Sequence, residues 1–365
     1  MKGLGRTVVV RGVWLVLVLL AAGSAAHAEA PAGRGDAASR PAGAGADRRL
    51  RGRVPATVRR PLAPCDDKAL ARMLQRFEVK PDPFDWRMTS LVAAGRPEIY
   101  AVAFPSPIRS PVTANNTVHC EYYPVAGRQR RAAVIVLHIL DGRFRLARGI
   151  CHTLRRAGVH ALLVKLPYYG PRRPKDKAVL TALAKDPDNV IAAVVQAVAD
   201  IRRAARWLAA RDETRAERIG LCGVSLGGFA AALAGGVDGR FGRVVIVLAG
   251  GRLERVLTSG AWDLRAVKAE IDRRHWSQAR LRKILEPVEP MTYASRLRSS
   301  RVLIIAGRRD AVVPPICAES LAEACGAKIT WYPAGHYSMA LYLPPVLIQL
   351  VGHFQAGVPT TQRDR

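Results

Sequence analysis

The chain has 365 residues, about half of them hydrophobic, which is enough to bury a large core. Its formal net charge is +28, and Arg far outnumbers Lys. The basic residues are spread along the chain and never cluster with interleaved aromatics, which argues against a nucleic-acid surface and for a basic exterior in water.

Lys2, Arg6 and Arg11 precede an apolar run from Val13 to Gly23, and Ala26-His27-Ala28 fits the small-x-small cleavage rule. Residues 1–28 therefore read as a cleavable export signal, giving a periplasmic or secreted protein. The run is short for a membrane span, and an N-terminal membrane anchor is the alternative. Residues 29–64 are rich in Ala, Gly, Pro and Arg without apolar periodicity, the composition of a disordered linker. A single domain is expected over 65–357, with a flexible tail at 358–365. The six cysteines show no zinc-like spacing, and no motif calls for a cofactor. Most read as core thiols, with Cys65–Cys120 the one candidate disulfide.

Within the domain the pattern predicts a short helix over 69–77 and early strands at 99–103 and 117–123. Val134 to Leu137 reads as a strand buried on both faces. A helix at 145–157, a strand at 161–166 and a long helix follow, the last with Asp186 at its N-cap and Pro187 at its first position. Its residues Ile191, Val194, Val195, Val198, Ile201 and Leu208 recur at helical spacing. Strands are predicted at 218–222 and 243–248, with a helix after Leu226 between them. Residues 252–290 are charged and helix-prone, an insertion that reads as a lid. Alternation then resumes with a strand at 302–306, a helix near 317–325, a strand at 328–332 and a final helix. Such alternation predicts an α/β fold, a mostly parallel central sheet with helices on both faces. Ligands bind such sheets at the carboxyl ends of the strands.

Three residues stand at such strand ends. Ser225 is centred in Gly223-Val224-Ser225-Leu226-Gly227, between a strand and a small-residue helix. A sharp strand-to-helix turn of this kind strains the backbone at Ser, requires small residues two positions away, and projects the hydroxyl above the sheet. A hydroxyl is a weak nucleophile without a base. Asp310 and His336 follow later strands in the order that supplies an acid and then a base. In this reading His336 takes the Ser225 proton and Asp310 orients and stabilises His336. Asp263 and Glu286 are alternative acids, although neither follows a strand. An oxyanion needs backbone donors. One would be the N–H of Leu226. The other would come from the loop His138-Ile139-Leu140-Asp141-Gly142, with Leu140 the first choice and Ile139 the second. His138 reads as structural, bonding to loop backbone.

With these motifs, residues 98–356 resemble the α/β-hydrolase superfamily. Glu289-Pro290-Met291-Thr292-Tyr293-Ala294 resembles a segment of its dienelactone-hydrolase-like and prolyl-oligopeptidase-like branches. Pro167-Tyr168-Tyr169-Gly170-Pro171-Arg172-Arg173-Pro174 is similar to a loop in a less-studied α/β-hydrolase-domain family also found in eukaryotes. The resemblance implies a Ser-Asp-His triad and, most often, ester hydrolysis. The loop reads His-Ile where many members have His-Gly, a departure that touches the oxyanion geometry. The leading expectation is an exported serine hydrolase acting on a small-molecule or lipid ester, with an anionic envelope component a further partner suggested by the charge. An acyltransferase with the same triad and a non-catalytic binding protein are the rivals. Trp262, Trp276, Leu264, Ile271 and Leu285 would line an acyl pocket or form the insertion's own core.

Overall fold

A computed structural model describes residues 49–59, 61–92, 98–140, 142–183, 187–261, 264–299 and 301–356. The export signal, residues 29–48, Asp186, Asp263 and the tail lie outside the described residues.

Among the described residues, ten strands form one sheet: β1 (Arg49–Val54), β2 (Phe84–Ser90), β3 (Tyr100–Pro105), β4 (Thr117–Tyr123), β5 (Arg131–Leu137), β6 (His160–Val164), β7 (Thr214–Val224), β8 (Arg243–Val247), β9 (Arg301–Gly307) and β10 (Lys328–Tyr332). Their spatial order is β1-β2-β3-β4-β6-β5-β7-β8-β9-β10. The pairings from β1 to β4, and of β4 with β6, are antiparallel. Those from β6 through β10 are parallel. The central strands are the most apolar because both faces are covered: Val134, Ile135, Val136 and Leu137 of β5 are fully buried, as are Ile219, Leu221 and Cys222 of β7.

The helices are α1 (Lys68–Gln75), α2 (Arg145–Arg156), α3 (Lys177–Leu183), α4 (Pro187–Ala209), α5 (Leu226–Asp238), α6 (Leu253–Leu257), α7 (Arg265–Arg273), α8 (Gln278–Leu285), α9 (Pro315–Cys325) and α10 (Leu343–Gln355). Helix α1 starts at Asp67, whose carboxylate accepts from the N–H groups of Ala69 and Leu70. Helix α4 carries the expected apolar stripe, with Val198, Ile201 and Leu208 fully buried. Its opposite face is buried too, and there the covering elements come from the N-terminal part of the chain. Arg206 donates to the carbonyls of Val58 and Asp82, Arg202 to that of Phe77, and Arg203 to that of Pro105.

Those contacts explain one departure from the expected boundaries. Residues 49–54, expected to belong to a disordered linker ending near Pro64, form a strand instead, because Arg49–Val54 pairs along its whole length with β2. The strand has little apolar content of its own. Gly52 leaves room for the Trp86 indole of β2, and α4 holds the following turn through Arg206. The expected Cys65–Cys120 disulfide is also absent: all six cysteines are free thiols. Cys120 is buried inside β4, whereas the Cys65 thiol donates to the carbonyl of Asp67 beside α1.

The insertion between β8 and β9 is helical, as expected, and has a separate small core. Val256, Leu264, Val267, Ile271 and Leu281 form it, with Trp276 and Leu285 packed against it. It seats on Val313, Cys317 and Phe229 of the main domain. Glu289 fastens its start: its carboxylate accepts from the N–H groups of Arg252 and Leu253. Leu264, Ile271, Trp276 and Leu285 therefore belong to the insertion's own core, and Trp262 lies outside the described residues.

Candidate functional site

The site is built at the carboxyl end of β7. Ser225 follows that strand directly and has φ 52° and ψ −116°, a conformation L residues rarely adopt. The strain is held from both sides. The Ser225 N–H donates to the Val247 carbonyl of β8 at 2.8 Å, and the Ser225 carbonyl accepts from Phe229 N–H of α5 at 3.0 Å. Gly223 and Gly227 are needed because the turn folds back on itself. A Cβ at Gly223 would overlap the Gly227 backbone, and one at Gly227 would overlap the carbonyls of Leu137 and His138.

His336 follows β10 and Asp310 follows β9, and the sheet brings both to Ser225. The Ser225 Oγ lies 3.0 Å from His336 Nε2, and His336 Nδ1 lies 2.7 Å from Asp310 Oδ2. The second carboxylate oxygen, Oδ1, accepts from Val312 N–H at 2.9 Å and Val313 N–H at 2.8 Å. Asp310 is thus fixed at both oxygens and is 5% exposed. The His336 loop is pinned where Gly335 N–H donates to Ser338 Oγ. Met339 docks on the core, whereas Leu341, in the short 3-10 turn before α10, is 82% exposed. Of the alternative acids, Glu286 is exposed at the start of a 3-10 turn beyond α8, and the His336 Nδ1 it would have to hold is bonded to Asp310.

The loop after β5 runs against this elbow. Leu226 N–H opens α5, and neither it nor Leu140 N–H donates to another described residue. His138 is buried and bonds to backbone, as expected. Its Nε2 accepts from Leu166 N–H at 3.0 Å. That places the ring proton on Nδ1, which donates to the Ile139 carbonyl at 2.6 Å. In a trans peptide, C=O and N–H point in opposite directions, so this bond turns Leu140 N–H away from the ring. Phe144 and Tyr169 pack edge-on against the His138 ring, each at 4.7 Å between centroids.

Sequence reasoning missed the residues behind that loop. Arg172 is fully buried and donates to Asp200 Oδ2 of α4 at 2.7 Å and to the carbonyls of Asn115 and Lys165. Ser106 donates to the other Asp200 oxygen at 2.6 Å, and Gln196 joins Asn115. This buried set ties the 167–174 segment to α4 and so sets Tyr169 against His138. The only signal for it was the run Pro167 to Pro174. On the other side, Glu121 accepts from Arg148 and pairs with Lys165. Burial alone would raise the Glu121 carboxyl, but Arg148 and Lys165 outweigh it and hold the group down at about 2.

Chemically, the arrangement offers a hydroxyl bonded to an imidazole whose far nitrogen is held by a fixed carboxylate. The backbone N–H of Leu226, the next residue, opens α5 directly after the hydroxyl's own residue.

Comparisons with known proteins fit this geometry. The family model described as alpha/beta hydrolase domain containing 18 matches residues 111–266, which include the His138 loop, the 167–174 segment and the Ser225 elbow. An uncharacterized protein of Mycobacterium tuberculosis (strain H37Rv) is 27% identical over 217 residues, covering 57% of this chain and 50% of its own length. The chain thus spans about half the length of the curated relatives it matches. Among solved structures, acetyl xylan esterase 1 from Thermoanaerobacterium sp. JW/SL YS485 is similar with a TM-score of 0.58 at 16% identity, covering 82% of this chain and 96% of that one. The acetyl xylan esterase from Paenibacillus sp. R4 has a TM-score of 0.58 at 17% identity, covering 81% and 97%. At such identities the likeness is one of fold, an α/β-hydrolase fold, and the family match adds that residues 111–266 are similar to an alpha/beta hydrolase family.

Proposed function

We propose that the protein is a serine ester hydrolase. The observation that carries this reading is the continuous hydrogen-bonded line from Ser225 through His336 to Asp310. His336 Nε2 takes the hydroxyl proton as Ser225 Oγ attacks the ester carbonyl. The N–H groups of Leu226 and Leu140 receive the oxyanion. His336 then gives its proton to the departing alkoxide, leaving an acyl-enzyme that water cleaves by the same route in reverse. In this reading the insertion formed by α6 to α8 acts as a lid. Tyr337, exposed and edge-on to the His336 ring, offers an apolar rim to the acyl group. That rim favours an apolar acyl chain over a sugar-like one. The esterase titles of the similar structures agree with the class of bond.

The test is labelling with a fluorophosphonate, which forms a covalent bond only with an activated serine. A panel of p-nitrophenyl esters of increasing chain length is then hydrolysed. Wild type labels, and Ser225→Ala neither labels nor turns over, a loss of about 10⁶ in kcat for a triad serine. Equal labelling of the two proteins, or none in folded wild type, refutes the assignment.

A further inference from the structure

A second site lies at the opposite edge of the sheet. A cavity of about 450 Å³ opens where β5, β6 and β7 begin. The seven-residue β5 separates it from the Ser225 end by about 20 Å. Arg130, Arg131, Arg155, Arg156, Arg215 and Arg218 line it, and among the described residues no carboxylate does. Its other polar side chains are the neutral Gln129 and Gln355.

Several of these arginines are fixed in place rather than loose on the surface. Arg130 donates through Nε and Nη2 to the Thr214 carbonyl, Arg215 donates to the Arg130 carbonyl, and Arg218 donates to the Ala356 carbonyl. Arg131 Nε is buried with no hydrogen-bond partner. Such an atom costs stability unless something accepts from it. Burial, followed by the neighbouring Arg215 charge, lowers the Arg218 guanidinium below its ordinary range. Glu217, next along β7, is the carboxylate that opposes this effect at Arg218. The fold therefore holds six like charges together and leaves a buried donor unanswered.

We propose that this cavity binds a phosphate-bearing polyanion, distinct from the ester substrate. Guanidinium forks match phosphate oxygens in pairs. A phosphate group carries up to two charges in a small volume, so several fit where a run of carboxylates would bring too few charges to balance six arginines. The phosphates come either from a soluble oligophosphate or from the headgroups of an anionic lipid surface. In the second case the cavity would seat the protein on that surface by its strand-start edge.

The test uses the full chain in about 150 mM salt, where diffuse attraction is screened. Inorganic triphosphate is titrated by calorimetry and by thermal shift. In parallel, vesicles of phosphatidylcholine with and without phosphatidic acid are tested by flotation. Arg155→Gln/Arg156→Gln removes two charges from the cavity wall. Arg282→Gln/Lys283→Gln removes two exposed charges from α8 and serves as the control. Thermal midpoints without ligand verify that both variants fold. Wild type and control should bind alike, and the cavity variant should bind about tenfold or more weakly. Binding to triphosphate without flotation identifies a soluble source. Flotation that requires phosphatidic acid and that triphosphate competes away identifies the lipid one. No binding of either probe by wild type, or equal weakening in the two variants, overturns the proposal.

Discussion

Replacing Asp310 with Asn tests the proposed mechanism at its least exposed member. In the native site Oδ2 accepts from His336 Nδ1, and Oδ1 accepts from the N–H groups of Val312 and Val313. An asparagine has one acceptor and one donor to divide between these two sides. If its NH₂ faces Val312 and Val313, two backbone hydrogen bonds are lost and three donors crowd together. Each buried unsatisfied donor costs about 1–3 kcal/mol, so this orientation lies several kcal/mol higher. The amide therefore keeps its oxygen on the backbone and points its NH₂ at His336. Nδ1 must then accept, the ring proton moves to Nε2, and Nε2–H faces the Ser225 hydroxyl it should deprotonate. The base is lost while every side chain stays in place. The expected fall in kcat is about 10³–10⁴, or roughly 4–5.5 kcal/mol of transition-state stabilisation, with KM little changed. Stopped-flow ester hydrolysis measures the fall, and denaturant unfolding checks that stability moves by no more than about 2 kcal/mol. A variant that keeps kcat within tenfold of wild type would mean that Asp310 does not set the His336 tautomer.

Three further outcomes follow from the packing and the electrostatics. Gly227→Ala should destabilise by about 2–3 kcal/mol, because backbone carbonyls of Leu137 and His138 block the new methyl; helix propensity alone would favour Ala by about 1 kcal/mol, so a stabilised variant in urea unfolding contradicts the close approach. Glu121 is held at about 2 from an ordinary 4.5, so its contribution is fully present above pH 4.5 and is lost as pH falls through about 2. The shift corresponds to about 3 kcal/mol as an upper figure, since Arg148 is 43% exposed; Glu121→Gln should cost 2–3 kcal/mol at neutral pH, with the gap to wild type closing in acid, and a gap that stays constant with pH refutes the ion-pair account. Thiol titration of unreduced protein in denaturant should count six thiols, whereas native protein should react chiefly at Cys65, because burial pushes Cys222 and Cys317 up to about 12; a count of four would restore a disulfide.

What the sequence shows plainly is what depends on local pattern. Ser225, Asp310 and His336 each follow a strand of strong apolar signal, so their order along the chain carried over directly into one place in space. The long helix α4 and the parallel strands β5 to β9 were legible for the same reason, since burial writes itself as Val, Ile and Leu, whereas the edge strand β10 has no buried residue. The features that were not legible owe their order to a partner. Arg49–Val54 is a polar edge strand whose hydrogen bonds come from β2 and whose anchor is Arg206, more than 140 residues later. Arg172 resembles a surface residue in any composition count, yet it is fully buried because Asp200 meets it. Cys65 and Cys120 were paired from compartment and count alone, and the position of Cys120 inside β4 separates them.

The departure at Ile139, where many superfamily members carry Gly, sharpens the last test. With a side chain at this position, the loop cannot owe its conformation to glycine's freedom, and His138 supplies the constraint instead. Its ring bridges Leu166 N–H and the Ile139 carbonyl and so fixes the peptide plane that presents Leu140 N–H. Phe144 and Tyr169 hold the ring, and Tyr169 is held in turn by the segment that Arg172 and Asp200 anchor. His138→Phe preserves the ring volume and the edge-on contacts but removes both hydrogen bonds. Two buried groups lose their partners, so unfolding free energy should fall by about 2–4 kcal/mol. A donor to the oxyanion acts on the transition state and not on the bound ester. A loosened Leu140 N–H should therefore lower kcat by about 10²-fold and leave KM unchanged. If His138 served stability alone, the variant assayed well below its unfolding temperature would turn over like wild type. A kcat within twofold of wild type under that condition would refute the link from His138 to the oxyanion donor, and would move the search for that donor to Ile139.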